Sequence, residues 1–189
     1  MCESRLARCG SRPFPGDGRA LATQAIGTER LDLLPLHVEH AEEMAAVLSD
    51  PALYTFTGGA PDTAQDLRSR YRRMTAGSPD PAVCWLNWVI RLREESCLTG
   101  TVQATVSPFG RGLVAEIAWV VGVPWQGRGI ATEAARGLVD RLSRQPVRAV
   151  IAHIHPEHHA SAAVATAAGL TPTDERHEGE IRWHRSIRS

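Results

Sequence analysis

The stretch VVGVPWQGRGIATEA, residues 120–134, decides how this 189-residue chain is read. It opens as the end of an apolar run from Leu113 to Val121 that only Glu116 interrupts, a pattern that predicts a central strand buried on both faces. It closes as the start of a helix expected over residues 130–142. Between them lies the glycine-rich turn Gln126-Gly127-Arg128-Gly129. Glycines let main-chain N–H groups come close to a ligand, and the first turn of a helix adds unpaired donors and a partial positive charge. Strand, glycine turn and helix together form a site for phosphate or pyrophosphate, to which Arg128 adds a charge-assisted contact. The signal is weak by itself, because the turn matches neither GxGxxG nor a GKS/GKT loop, and a turn without a ligand explains the same residues.

Reading outward, residues 30–36 alternate weakly as a first strand, and residues 37–48 place Val38, Ala41, Met44, Ala45 and Leu48 on one helical face. A second helix starts at Thr63, an N-cap with Asp66 in the capping-box position. Residues 84–92 and 98–106 alternate about a charged turn at residues 93–96 and predict a hairpin. After the central helix come a strand over 147–154, a helix over 159–168 ended by Gly169, and two short strands near 170–174 and 180–185. Hairpins followed by strand–helix–strand–helix–strand predict one α/β domain with a partly antiparallel sheet. Residues 1–27, rich in Gly, Pro, Ser and Arg without periodicity, read as a disordered or mis-assigned extension, with the domain expected over 28–189.

Composition narrows the function. Lys and Arg number 21, as do Asp and Glu, so charge gives no case for nucleic acid or an anionic membrane. Arg68 to Arg73 read as a solvated helix face. Cys2, Cys9, Cys84 and Cys97 lack metal-ligand spacing and suggest no disulfide framework, which fits a reducing compartment. No segment reaches the apolar length of a membrane span and the first residues lack a secretory h-region, so the expected location is cytoplasmic. His153, His155, His158 and His159 invite a metal reading, but no HExxH or Cys partner accompanies them, and none is expected.

The motif resembles that of the GCN5-related N-acetyltransferases (GNAT), and more closely their RimJ/RimL-like branch. Gln126, Gly129 and Ala131 match the pattern Gln/Arg-x-x-Gly-x-Gly/Ala. Ala115-Glu116-Ile117-Ala118-Trp119 is similar to the segment AEIGY, Ile130 to Ala134 to GYATEA, and His158-His159-Ala160-Ser161 with Gly169-Leu170 to NxxS…GF. Residues 53–59 also resemble that branch. The resemblance covers roughly residues 28–185 and departs at His158, where many members carry Asn, and in lacking a Tyr proton donor on the last helix.

The resemblance implies a sheet with a splayed central strand pair flanked by helices, and acetyl-CoA as co-substrate without a metal. It implies transfer of acetyl to a primary amine, on a protein N-terminus or a small molecule, by direct attack on the thioester. Cofactor contacts fall on Val121, Gly122, Val123, Gln126, Gly127, Arg128, Gly129, Ile130, Ala131, Thr132 and His158. Glu116 is the candidate base, acting through a water; a Glu facing solvent is the plain alternative. A carboxylate in an apolar strand needs a partner or solvent. Ser161 is the candidate proton donor to the thiolate, or merely a cap. Tyr54 and Phe56 are candidates for the acceptor pocket, with Trp119 a further substrate-side candidate; ordinary packing accounts for them equally. Glu133 reads as structural, favoured by the helix dipole. Competing functions are a non-catalytic CoA-binding module and a nucleotide-phosphate binder unrelated to CoA. The acceptor and the acyl length stay open, as does a homodimer.

Overall fold

The computed structural model describes residues 21–187. The extension expected over residues 1–27 lies mostly outside them, but its last residues are packed rather than free. Leu21 is 3% exposed, Gln24 O accepts from Trp88 Nε1 at 2.8 Å, and Ile26–Gly27 form a short strand, β1. Order therefore begins before Thr28, because Leu21 and the Gln24 carbonyl complete a core that sequence periodicity does not reveal.

The remaining strands are β2 (Leu31–Pro35), β3 (Cys84–Leu92), β4 (Cys97–Phe109), β5 (Gly112–Val121), β6 (Val147–Ile154), β7 (Thr171–His177) and β8 (Glu180–Ser186). The helices are α1 (Ala41–Val47), α2 (Ala64–Ala76), α3 (Ile130–Ser143) and α4 (His159–Ala167). A 3-10 turn, Val38–His40, takes up the start of the first expected helix. At the second, Thr63 Oγ1 accepts from the Asp66 amide at 3.2 Å, so the N-cap acts as its residue type dictates.

The sheet runs β1-β2-β3-β4-β5-β6-β8-β7. Neighbours are antiparallel except β5 and β6, which α3 connects as a parallel crossover. On β3, Trp88 and Ile90 enter the main core with Ile130, Ala134, Leu138 and Leu142 of α3. Val89 points the opposite way, into a second core with Met44 and Val47 of α1 and Leu67 and Tyr71 of α2. Helices thus cover both faces of the antiparallel half.

They do not cover both faces of β5. Leu113, Ala115 and Ile117 face the main core, while Val114 shares a small buried patch with Ala149 and Ile151 on the other side. Beyond that patch Glu116 and Ala118 are exposed. The expected burial on both faces holds for the first part of the run and fails from Glu116 onward, where, among the described residues, no helix lies over the second face.

The β5–β6 ladder is short. It runs from Leu113↔Val147 to Glu116↔Ile151 and stops, although β5 continues to Val121 and β6 to Ile154. The two central strands splay, as the resemblance implied. On its other edge β5 stays paired to β4 through Gly100↔Val121. A bulge lies beside this point: Ile90 pairs with Gly100 and Arg91 with Leu98, which leaves Thr99 as the extra residue.

Candidate functional site

Between the splayed strands, β5 presents a free edge. Gly122 N–H donates to Thr99 O at 2.8 Å, so Gly122 faces β4. By the two-residue period of a strand, Val120 and Ala118 face β4 as well, while Val121, Trp119 and Ile117 turn their main-chain groups to the opening. Val121 O is in fact reached from that side, accepting from Gln126 Nε2 at 3.0 Å. The motif's Gln126 therefore closes the turn onto the end of β5, and its own amide is spent on Val123 O.

The glycine loop follows. A 3-10 turn, Val123–Trp125, leads into Gly127 and Gly129, whose φ values of 72° and 77° lie in the left-handed region that glycine adopts without strain. Gly129 caps α3, and the first helical bond, Glu133 N–H to Gly129 O at 3.0 Å, lies beyond the first turn. Among the described residues the amides from Gly127 to Thr132 have no acceptor in the chain. Such a run of donors at the positive end of a helix dipole is an anion site, and a pyrophosphate fits its chemistry.

Two ion pairs fix this loop from outside. Glu95, in the β3–β4 turn, accepts from Arg128 Nη2 at 2.6 Å and from Trp125 Nε1 at 3.0 Å. The Arg128 guanidinium, and after it the Trp125 indole, hold the Glu95 carboxyl below the usual carboxylate range. In this arrangement the Arg128 side chain is engaged by Glu95, while its amide stays unpaired among the described residues. On α3, Glu133 accepts from Thr28 Oγ1 at 2.6 Å, from the Arg30 amide at 2.7 Å and from Arg30 Nε at 2.8 Å. Burial alone raises the Glu133 carboxyl, but the hydrogen bonds from Thr28 and Arg30 outweigh it, and the net position is low. Its role is to tie the N-terminal strands to α3. A groove of about 770 Å³ lies beside that tie, lined by Arg30, Arg136, Arg141 and Arg144 among others, on the flank of α3 rather than at the splay.

Glu116 stands at the last rung of the parallel ladder, with its side chain 49% exposed and His153 Nδ1 2.8 Å from Oε1. Nothing in the spacing of the two residues points to that partner; only the β5–β6 pairing brings them together. Phe56 lies near the tip of β6, stacked on His158 with ring centroids 4.4 Å apart and 5.2 Å from the His155 ring. Burial first, then His155, holds the His158 imidazole below its usual range, so it is neutral at neutral pH. Tyr54 anchors the same loop through its hydroxyl, which donates to Leu48 O at 3.1 Å. Trp119 is set apart from them: it packs against the main core, on the face opposite Glu116. Ser161 lies in the first turn of α4, its hydroxyl without a partner among the described residues.

Residues 30–171 match the family described as acetyltransferase (GNAT) domain. A search of curated proteins found no match. Among solved structures, RimJ from Mycobacterium smegmatis in complex with a CoA disulfide has 18% identity and a TM-score of 0.72, covering 86% of this chain and 87% of that one. RimL, a ribosomal L7/L12 alpha-N-protein acetyltransferase in complex with coenzyme A, gives 17% and 0.72, covering 87% and 98%. The microcin C7 self-immunity acetyltransferase MccE, in complex with acetyl-CoA and AMP, gives 17% and 0.67, covering 84% and 93%. At these identities the structures establish a shared fold. With its splayed central strands, its glycine loop of unpaired amides and a family match over three-quarters of its length, the chain belongs to the GNAT acetyltransferase family.

Proposed function

We propose that the protein transfers an acetyl group from acetyl-CoA to a primary amine by direct attack of the amine on the thioester. The observation that carries this reading is the unbroken run of free amides from Gly127 to Thr132, continuous with the open edge of β5. The loop amides bind the pyrophosphate, and the edge groups of Val121, Trp119 and Ile117 hold the pantetheine arm as an added strand. Bound acetyl-CoA supplies an activated acyl group. The chain's own residues do the rest: they align the reactants, which in favourable cases lowers a two-substrate barrier by about 7–11 kcal/mol, and a main-chain amide near Ile117 to Trp119 polarises the carbonyl.

Glu116 directs removal of the proton from the incoming amine, and Ser161 returns one to the departing thiolate. Tyr54 and Phe56 wall the acceptor side. A protein α-amine is the favoured acceptor, because the fold is shared with an alpha-N-protein acetyltransferase. The test is calorimetry with CoA, followed by a thiol-release assay with acetyl-CoA against short peptides with free N-termini and small amines. Micromolar binding and turnover with a peptide are expected. Absence of CoA binding at millimolar concentration would sink the reading, and binding without turnover on any amine would favour a CoA-binding module.

A further inference from the structure

Glu116 and His153 meet where β5 and β6 part. The last parallel rung joins Glu116 to Ile151, and His153 lies two places on, on the same side of β6. The His153 side chain is 15% exposed and that of Glu116 49%, so the ring is held within the fold while the carboxylate reaches solvent. The groups facing the ring come from each neighbouring strand. His177 of β7 has its ring centroid 5.4 Å away. Arg182 of β8 is the cross-strand partner of His153; its Nη1 donates to Glu175, its guanidinium lies over the Phe109 ring, and its Nε is buried without an acceptor among the described residues. His155, just beyond the end of β6, has the Phe56 ring 5.2 Å from its own. Among the described residues no cation competes for Glu116.

An ionised carboxylate only accepts hydrogen bonds, so at 2.8 Å the hydrogen belongs on His153 Nδ1. That assigns the tautomer and leaves the Nε2 lone pair free to take a proton. We propose that His153 is the proton acceptor of the reaction and that Glu116 fixes its tautomer and faces the imidazolium that forms. The step is that of a carboxylate-oriented imidazole base, and it rests on the acetyl-transfer reading. The acceptor ammonium gives one proton to Nε2, directly or across one water, and becomes a neutral amine. Its lone pair forms the C–N bond as the C–S bond breaks. The second proton leaves the nitrogen and ends on the thiolate, and the imidazolium then releases its own to solvent.

Two measurements on the full chain test this. In ¹⁵N imidazole spectra of the ligand-free protein at pH 7.5, the signal that His153→Gln removes is expected to show the Nδ1–H tautomer, and Glu116→Gln is expected to abolish that preference. A wild-type Nε2–H tautomer would overturn the proposal. In the thiol-release assay, His153→Gln is expected to lower kcat by about a hundredfold, as loss of a general base does. The acid limb of the pH profile should vanish, while the acetyl-CoA KM changes less than about threefold. His153→Asn is the second variant, and CoA calorimetry reports that either variant is folded. Wild-type turnover and pH profile in a variant that binds CoA would remove His153 from the mechanism while leaving the acetyltransferase reading intact. Failure of the wild type to bind CoA would sink that reading instead.

Discussion

The Glu95 carboxylate lies 2.6 Å from the Arg128 guanidinium, so the one cationic side chain within the glycine loop is neutralised by the turn of the β3–β4 hairpin. The pair is exposed, at 39% and 40%, and water screens it, so it adds little to stability. Its effect on an anion bound at the loop is larger in consequence than in energy, because each partner cancels the other's field. Glu95→Gln leaves Arg128 uncompensated and is expected to tighten CoA binding by about two- to fivefold at low salt. Arg128→Ala leaves the carboxylate and is expected to weaken it by a similar factor, and the double variant to lie near wild type. Calorimetry at two ionic strengths checks this. Equal weakening by both single variants would mean that the pair shapes the loop instead.

Gly129 caps α3 with φ at 77°, a conformation in which a Cβ is strained, and that Cβ would also approach Arg30 Nη2 at 3.4 Å. Gly129→Ala is expected to cost about 1–2 kcal/mol of stability. Because the same turn presents the free amides, CoA affinity is expected to fall with it. A variant with unchanged melting temperature and CoA affinity would show that the loop does not need this backbone.

Gly100 lies across from the end of β5, where a Cβ would come 2.1 Å from Val120 O and 2.9 Å from Val121 Cα. Both neighbours are backbone atoms of the strand that bears the free edge, so relief must move β5. Gly100→Ala is expected to destabilise the fold by about 1–3 kcal/mol, seen as a fall of several degrees in Tm. CoA binding should fall further than stability alone explains. An unshifted melt would show that β4 and β5 approach less closely than the structure indicates.

Glu133 makes the fold acid-sensitive. Its folded-state carboxyl is held low by Thr28 and Arg30 against the opposing effect of burial. A depressed folded pKa contributes stability above the unfolded value, near 4.3, and that contribution is lost as pH falls through the folded value. Wild type is therefore expected to lose stability below about pH 4.3 more steeply than Glu133→Gln. At neutral pH the variant should be less stable by about 1–2 kcal/mol, as for loss of hydrogen bonds to a charge. Denaturant melts at pH 7 and pH 4 check both. Parallel curves for the two proteins would remove Glu133 from the linkage.

Local pattern alone determined most of the framework. The alternation of β3 and β4, the Thr63 cap and the strand–glycine–helix run of residues 120–134 each depend on neighbours within a few positions, so they are written in the order of residues. The run of unpaired amides was legible for the same reason: glycines followed by a helix start specify where amides point. Tertiary structure decided what depends on distant segments. Whether Arg128 is free or paired depended on Glu95, 33 residues away, and the role of Glu133 on Thr28 and Arg30, more than a hundred residues away. The exposure of Glu116 followed from the absence, among the described residues, of a helix over one face of β5, which no periodicity records. Its imidazole partner followed from a parallel register that α3 imposes by carrying the chain across to β6. Packing residues 21–27 under Trp88 likewise required a core built by strands far along the chain. Spacing encodes backbone geometry, whereas charge pairing and burial are properties of surfaces that meet only when the chain has folded.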